Sequence, residues 1–337
     1  MQTNLQTRQL GKTNLQITTI GLGAWAIGGG EWAFGWGPQD DQDSIKTIHE
    51  AVNRGINWID TAAVYGLGHS EEVVGKALRQ LPADSRPFVF SKCGLVWDSN
   101  DTFSQPKRIL RPESIRNECE QSLKRLGVEQ IDLYQFHWPD ETGTEVEDSW
   151  STMLELQKEG KVAHVGVSNF DVELLQRCEN IGHVDSLQPP FSLLNRSIID
   201  SELPWCKSHS TGILCYSPLS SSILTDNFSL EKVSKLSPKD WRKHSSNFQS
   251  PEVEKNIALR DSLKPIAQKY QTTVSSIAIA WVLSWQGITG AIVGARKVEQ
   301  IQDWIDSSSI TLDQDDLNNI NQALRTTRAG QGPIESK

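Results

Sequence analysis

Six short apolar runs of the sequence end on a side chain that can ionise or hydrogen-bond. "INWID" ends on Asp60, "FVFSK" on Lys92, "LYQFH" on His137, "VGVSN" on Ser168 and Asn169, "DSLQ" on Gln188, and "LCYS" on Tyr216 and Ser217. One such ending reads as a helix cap; six in succession read as a converging polar site. Asp60 and Lys92 come from successive runs, so an ion pair between them is natural, and Tyr65 stands five positions beyond Asp60. A free tyrosine, with a pKa of about 10, is too weak an acid for efficient proton donation at neutral pH. An ammonium within about 4–6 Å favours the phenolate, so Lys92 is expected to draw the Tyr65 pKa down while Asp60 holds the lysine. His137 can share the substrate oxygen or pass protons. Together these four make a proton donor for a carbonyl oxygen becoming an alcohol.

The elements that must position them alternate from end to end. The β-rich runs are "TTIGLG", "INWID", "PFVFSK", "IDLYQFH", "VAHVGVSN", "VDSLQ", "GILCYS" and "GAIVGA", each near-continuously apolar as in a parallel strand covered on both faces. Between them lie amphipathic segments such as "PESIRNECEQSLKRLG", where Ile115, Cys119, Leu123 and Leu126 recur at helical spacing and Gly127 stands as a C-cap. Eight such strands predict an α/β fold, a (β/α)8 TIM barrel, whose strand ends share one mouth. A doubly wound sheet would show fewer strands and one phosphate turn. "RQLGKTNLQITTI" reads as an N-terminal β-hairpin, and "VEQIQDWIDSS" and "DQDDLNNINQAL" as two extra C-terminal helices. The Ser-rich stretch from Pro218 to about Pro251 reads as a lid. All of 1–337 is expected to be one domain, with a flexible tail from about 327. Gly21-Leu22-Gly23-Ala24-Trp25-Ala26 matches the G-x-G-x-x-A dinucleotide string, but a Gly- and Trp-rich loop follows it instead of a helix, and Asp60 comes too late to hold a ribose. The fingerprint reading therefore fails.

Of the 337 residues, 37% are hydrophobic and 22% charged, and the net charge is −9. The acidic balance argues against nucleic acid and anionic membranes as partners. Tyr270 to Ala295 carries no formal charge, but its Thr, Ser, Gln and Gly content predicts a buried helix and strand rather than a membrane span. The polar N-terminus is not expected to be a signal peptide. Five cysteines without C-x-x-C fit reduced thiols in a cytoplasmic setting, and histidine spacing suggests no metal site.

"GINWIDTAAVYGLGHSEEVVGKAL", "SLKRLGVEQIDLYQFHWPD", "HVGVSNF", "YSPL" and "IVGARKVEQI" resemble the motifs of the aldo-keto reductase family, in order from about Leu10 to Leu324. The flavour is that of bacterial reductases related to the inositol-operon and general-stress enzymes. The resemblance implies a metal-free barrel that reduces small aldehydes, ketones or sugars with NADPH, leaving NADP+. It puts the family's catalytic tetrad on Asp60, Tyr65, Lys92 and His137, with Tyr65 as the general acid. It implies that Ser168, Asn169 and Gln188 meet the carboxamide and that Tyr216 stacks under the nicotinamide. Ser217, Leu219 and Ser221 would follow the pyrophosphate, and Gly294, Arg296 and Gln300 the adenosine end, with Arg296 suited to a 2′-phosphate. Gly23, Ala24, Trp25, Asp60, Pro218, Ile223 and Leu224 complete the implied cofactor contacts. Trp25, Trp32, Tyr65, Trp97, His137 and Trp138 would line the substrate pocket.

Two departures stand out. The family's lid commonly reads SPL-x-x-G-L-L-T-G-K, whereas here Ser222, Asp226 and Asn227 replace two glycines and a lysine. Losing a cation and gaining a carboxylate near phosphates is expected either to weaken the grip on the cofactor or to change lid motion. Trp304 replaces an asparagine that often meets adenine, so stacking on the indole is the expected substitute. The same fold and tetrad occur in redox-sensing regulatory subunits similar to potassium-channel β subunits, which is the rival reading. Oligomeric state, monomer or homo-oligomer, is left open.

Overall fold

Eight parallel strands close into a barrel in the computed structural model, which describes residues 5–237 and 240–335. In chain order they are β1 (Ile20–Gly23), β2 (Trp58–Asp60), β3 (Phe88–Cys93), β4 (Ile131–Phe136), β5 (Val162–Ser168), β6 (Ser186–Gln188), β7 (Gly212–Cys215) and β8 (Ile288–Gly294). Each pairs with the next, and β8 closes on β1. The register sets the polar ends side by side: Gly23 opposite Asp60, Lys92 opposite Gln135, Ser168 opposite Gln188, and Gly294 opposite Gly23.

The helices form where the sequence caps them. Asp40 and Asp171 accept backbone N–H groups at the starts of Asp41–Asn53 and Val172–Glu179, each satisfying one of the donors a helix start leaves free. Gly127, at φ 68°, ends Pro112–Leu126 in the left-handed conformation a side chain resists. That helix buries Ile115, Cys119 and Leu126 against the barrel, with Leu123 packed at the edge. The uncharged stretch folds as the buried helix Val274–Ser284 followed by β8. No helix among the described residues is long and apolar enough to cross a membrane.

Trp58, Phe90, Leu133, Leu214 and Ile292 form a second core with Leu10, Leu15 and Ile17 of the N-terminal hairpin, whose strands Thr7–Gln9 and Gln16–Thr18 pair antiparallel. The first glycine of the dinucleotide-like string belongs to this packing. A Cβ on Gly21 would lie 2.2 Å from the Trp58 indole. A 3-10 turn, Trp25–Gly28, follows β1, so no α-helix N-terminus faces a phosphate there.

Several local expectations change. Strand β3 runs one residue past Lys92, and its loop forms a small antiparallel pair, Leu95–Val96 with Lys107–Arg108. The first C-terminal helix is broken into Val298–Gln302 and the 3-10 segment Ile305–Ser309, while Gln314–Thr327 is continuous. The Pro218–Pro251 connection carries the short helix Leu230–Ser234 and two 3-10 turns. Near the C-terminus, residues 332–335 make side-chain contacts with earlier parts of the chain. Arg196 Nε donates to Pro333 O at 3.0 Å and its Nη2 to Gly332 O at 3.2 Å, while Arg325 pairs with Glu335 at 2.5 Å.

Candidate active site

The Lys92 side chain is fully enclosed, with its Nζ 2.5 Å from Asp60 Oδ1 and 2.9 Å from the Thr61 carbonyl. Its ammonium lies 5.2 Å from the centroid of the Tyr65 ring. The other oxygen of Asp60 accepts from Gln188 Nε2 at 2.8 Å. The Tyr65 and His137 rings meet edge to face, with centroids 5.5 Å apart. The four residues expected from the strand ends are thus brought together.

Tyr65 sits on a loop pinned at close range. Ser70 N donates to Tyr65 O at 3.1 Å, and Ser70 Oγ donates to Ala24 O at 2.8 Å. Gly66, next in the chain, has φ 61° and passes so near Gly28 that a Cβ would lie 2.1 Å from its carbonyl oxygen. Only glycine fits that crossing.

Burial dominates the electrostatics. It holds the Tyr65 pKa well above the usual phenol value, and the charge of Asp60 and the Tyr216 phenol push the same way. The expected lowering by Lys92 is therefore corrected: desolvation outweighs an ammonium that Asp60 already neutralises, and Tyr65 stays protonated at neutral pH. Burial also lowers the Lys92 pKa, against the opposing pull of Asp60 and Glu71. His137 is pushed well below its usual value by burial and by the Lys92 charge. It is a neutral imidazole.

Around the tetrad, Asn169, at φ 62°, ties three strand ends together. Its Nδ2 donates to His137 O at 2.9 Å and to Ser168 Oγ at 3.0 Å, and its Oδ1 accepts from the Tyr216 hydroxyl at 2.8 Å. Ser168 Oγ donates to Gln188 O at 2.7 Å. The Gln188 amide nitrogen is committed to Asp60 and, at 3.3 Å, to Gln135. That leaves its carbonyl oxygen to accept from an amide ligand. Beyond β7, Ser217, Ser220, Ser221 and Ser222 all have positive φ. Ser222 therefore occupies a conformation that suits the glycine found in the family pattern. Pro218, Ile223 and Leu224 are buried beneath this turn, and Leu219 is half-buried.

The Asp226 carboxylate accepts the Val274 N–H at 3.1 Å, at the start of Val274–Ser284. A carboxylate there is favoured by the helix dipole, so its placement reflects helix capping. Arg260 Nη1 holds the same turn through Thr225 O at 2.7 Å and Phe228 O at 3.0 Å. Asn227 is exposed.

At the end of β8, Gly294 is exposed and the Arg296 guanidinium spans the β1 loop. It donates to Gln39 Oε1 at 2.8 Å, to Trp36 O at 3.0 Å, and to Pro38 O. Gln300 Oε1 accepts the Arg296 N–H at 2.7 Å. Burial lowers the Arg296 pKa, and the nearby Arg242 charge adds to that. Trp304 is only 2% exposed and lies in the core, so the expected adenine platform is absent from the surface.

The substrate side is aromatic. Trp25 packs near Tyr65, with ring centroids 6.2 Å apart, and Trp32 lies at 6.4 Å. Trp241, from the β7 connection, stacks on Trp25 at 5.5 Å and meets Trp36 edge-on at 5.8 Å. Trp97 joins the Trp32 cluster, whereas the Trp138 face is covered by Arg108 at 4.3 Å. Trp241 and Arg242 were missed in the sequence because they lie far along an irregular connection. Gln135 was missed too, although Leu133, Gln135 and His137 alternate along β4 and that spacing could have found it. The serine hydroxyls of the β7 turn and the free side-chain oxygen of Gln188 suit an amide- and phosphate-bearing dinucleotide, while the Arg242 guanidinium is ion-paired with Asp240 at 2.6 Å and that of Arg296 is held by the β1 loop.

Residues 19–325 match the model of the Aldo/keto reductase family. Aldo-keto reductase YhdN of Bacillus subtilis is 34% identical over 319 residues, covering 94% of this chain and 93% of that protein. An NADH-specific methylglyoxal reductase of Escherichia coli is 34% identical over 315 residues, 91% of this chain and 94% of the relative. The structure of a glycerol dehydrogenase from Gluconobacter oxydans superposes with a TM-score of 0.87 at 35% identity, covering 98% of both chains. The chain therefore belongs to the aldo/keto reductase family of oxidoreductases, barrels that act on carbonyl groups with nicotinamide cofactors.

Proposed function

We propose that the chain reduces small aldehydes, with ketones or sugars as the alternative substrates, using NADPH, and that Tyr65 supplies the proton. The observation that carries this reading is the enclosed Lys92 ammonium, clamped by Asp60 and facing the Tyr65 ring. Bound reduced nicotinamide supplies the hydride. Tyr65, protonated throughout the neutral range, donates its hydroxyl proton as the carbonyl oxygen takes on alkoxide charge, which makes that oxygen a stronger base than a phenolate and draws the proton even from a weak acid. Lys92 then stabilises the phenolate left behind, and Asp60 keeps the lysine charged. Neutral His137 offers a ring N–H to the same oxygen, with its backbone fixed by Asn169. The Trp25 and Trp32 rings beside Tyr65 lower the polarity around it and so strengthen interactions at the site. In the oxidative direction Tyr65 takes the proton back.

Preference for NADPH rests on Arg296, whose guanidinium would exchange its bonds to the β1 loop for charge-assisted bonds to a 2′-phosphate. The reading is tested by following consumption of NADPH and of NADH with a panel of aldehydes, ketones and sugar phosphates. Turnover of aldehydes with NADPH favoured is expected, and Arg296→Ala should lose most of that preference in dissociation constants as well as rates. Tight cofactor binding without turnover of any carbonyl would refute the enzymatic reading in favour of a sensor.

A further inference from the structure

One peptide group links two members of the tetrad to a carboxylate outside it. The carbonyl of Cys93, the residue after Lys92, accepts the His137 N–H at 2.9 Å. The N–H of that same peptide belongs to Gly94 and donates to Glu118 Oε2 at 2.9 Å. The second carboxylate oxygen accepts from Ser114 Oγ at 3.0 Å, one turn back on Pro112–Leu126. We infer that Glu118 is a positioning residue that fixes Lys92 and His137 relative to each other through the Cys93–Gly94 peptide. The inference rests on the proposed roles of those two residues in carbonyl reduction.

The backbone has little alternative at this point. Gly94 has φ 90°, and a Cβ there would lie 2.4 Å from Leu110 Cδ2, so the chain turns sharply out of β3. The turn aims the Gly94 N–H at the Pro112–Leu126 helix, where Glu118 is its acceptor. A peptide bonded at both ends is polarised, and each hydrogen bond strengthens the other. A charged acceptor makes such a bond roughly twice as strong as a neutral one. The same anchor reaches the substrate side, because Leu95 and Trp97 follow Gly94 and pack on Trp32, beside Tyr65.

The acceptor is also tunable. Burial raises the Glu118 carboxyl to about 7, against the lowering influence of the Gly94 N–H, Ser114 and Arg125. The ionisable groups facing it are Arg125 on its own helix, Glu71 from His69–Gln80, and the Cys93 thiol and Tyr134 phenol from β3 and β4. An ordinary structural acceptor such as glutamine would avoid that burial penalty. Below the titration midpoint Glu118 is a neutral acceptor and its hold on the peptide weakens.

The test compares the full-length wild type with Glu118→Gln, which keeps an acceptor oxygen but cannot titrate. At saturating cofactor, the ratio of wild-type to variant kcat/KM is expected to be about ten near pH ~8.5 and to approach one near pH ~5.5. The midpoint should lie near 7 and move upward in Ser114→Ala. Independently of turnover, the Gly94 and His137 amide NMR shifts should titrate together in the wild type and stay flat in Glu118→Gln. A ratio that does not change with pH, or a Gly94 titration that leaves His137 unmoved, overturns the inference. If the wild type reduces no carbonyl, the functional reading fails while the amide titration still decides this one. Folding gives a control with a worked sign. A carboxyl raised in the folded state favours folding when protonated, and that advantage is lost as pH rises through about 7. Glu118→Gln should therefore match or exceed the wild-type Tm at alkaline pH; a lower Tm there would indicate a merely structural role.

Discussion

Replacing Asp60 with asparagine isolates the clamp on Lys92. The substitution preserves shape but removes the charge 2.5 Å from a fully enclosed ammonium. It also leaves one side-chain oxygen for two donors, Lys92 Nζ and Gln188 Nε2, so one of them faces an amide N–H. Breaking one partner of a buried ion pair costs about 3–5 kcal/mol. For a chain of this length that corresponds to a fall in Tm of about 4–7 °C. The pH dependence sharpens the prediction. Burial already lowers the Lys92 pKa, and Asp60 is the first influence opposing it, so the variant's lysine falls further. A lysine whose folded-state pKa lies below its unfolded value of about 10.4 destabilises the fold while it must stay charged. The deficit should therefore be largest at neutral pH and shrink as pH rises toward 10.4. Urea denaturation of wild type and Asp60→Asn from neutral to alkaline pH measures both quantities. A variant within about 1 kcal/mol of wild type, with a gap independent of pH, would refute the reasoning about the clamp.

Two further substitutions probe the frame around the site. Asp226→Ala removes the carboxylate that accepts the Val274 N–H, and urea titration should find a loss of about 0.5–2 kcal/mol. Cofactor affinity should be unchanged, since the carboxylate faces the helix; a rise in affinity would mean that it repels bound phosphate after all. Gly66→Ala forces a side chain into a left-handed residue 2.1 Å from the Gly28 carbonyl oxygen. It should cost more than about 1 kcal/mol and slow turnover by displacing Tyr65, whereas a fully active, equally stable variant would show that the loop crossing is loose.

The barrel was legible because parallel strands covered on both faces read as apolar runs, and because a polar residue at the end of each run is conspicuous. Asp60, Lys92, His137 and Gln188 were found on that signal alone. Glu118 and Glu71 were not, because a carboxylate on an amphipathic helix looks like solvated surface charge. Helical spacing does not reveal that Glu118, one residue from buried Cys119, bonds to a turn of β3. The Tyr65 pKa was misjudged for a related reason. Strand order identifies the neighbouring lysine, but the larger effect is desolvation by burial, which depends on loops packed over the site. The bond from Val274 to Asp226 was not legible because the two residues are remote in sequence. The bond from Arg196 to Pro333 was not legible because the two residues lie well over a hundred positions apart.

The proton-donor assignment is tested most directly by single-turnover mixing of cofactor-loaded wild type and Tyr65→Phe with a small aldehyde. Tyr65→Phe keeps the ring that packs near Trp25 and His137, so reduced-cofactor affinity should be unchanged while oxidation of the bound cofactor slows by about 10²–10⁴-fold. A variant that binds the cofactor normally and oxidises it at the wild-type rate would contradict the assignment of Tyr65 as the acid.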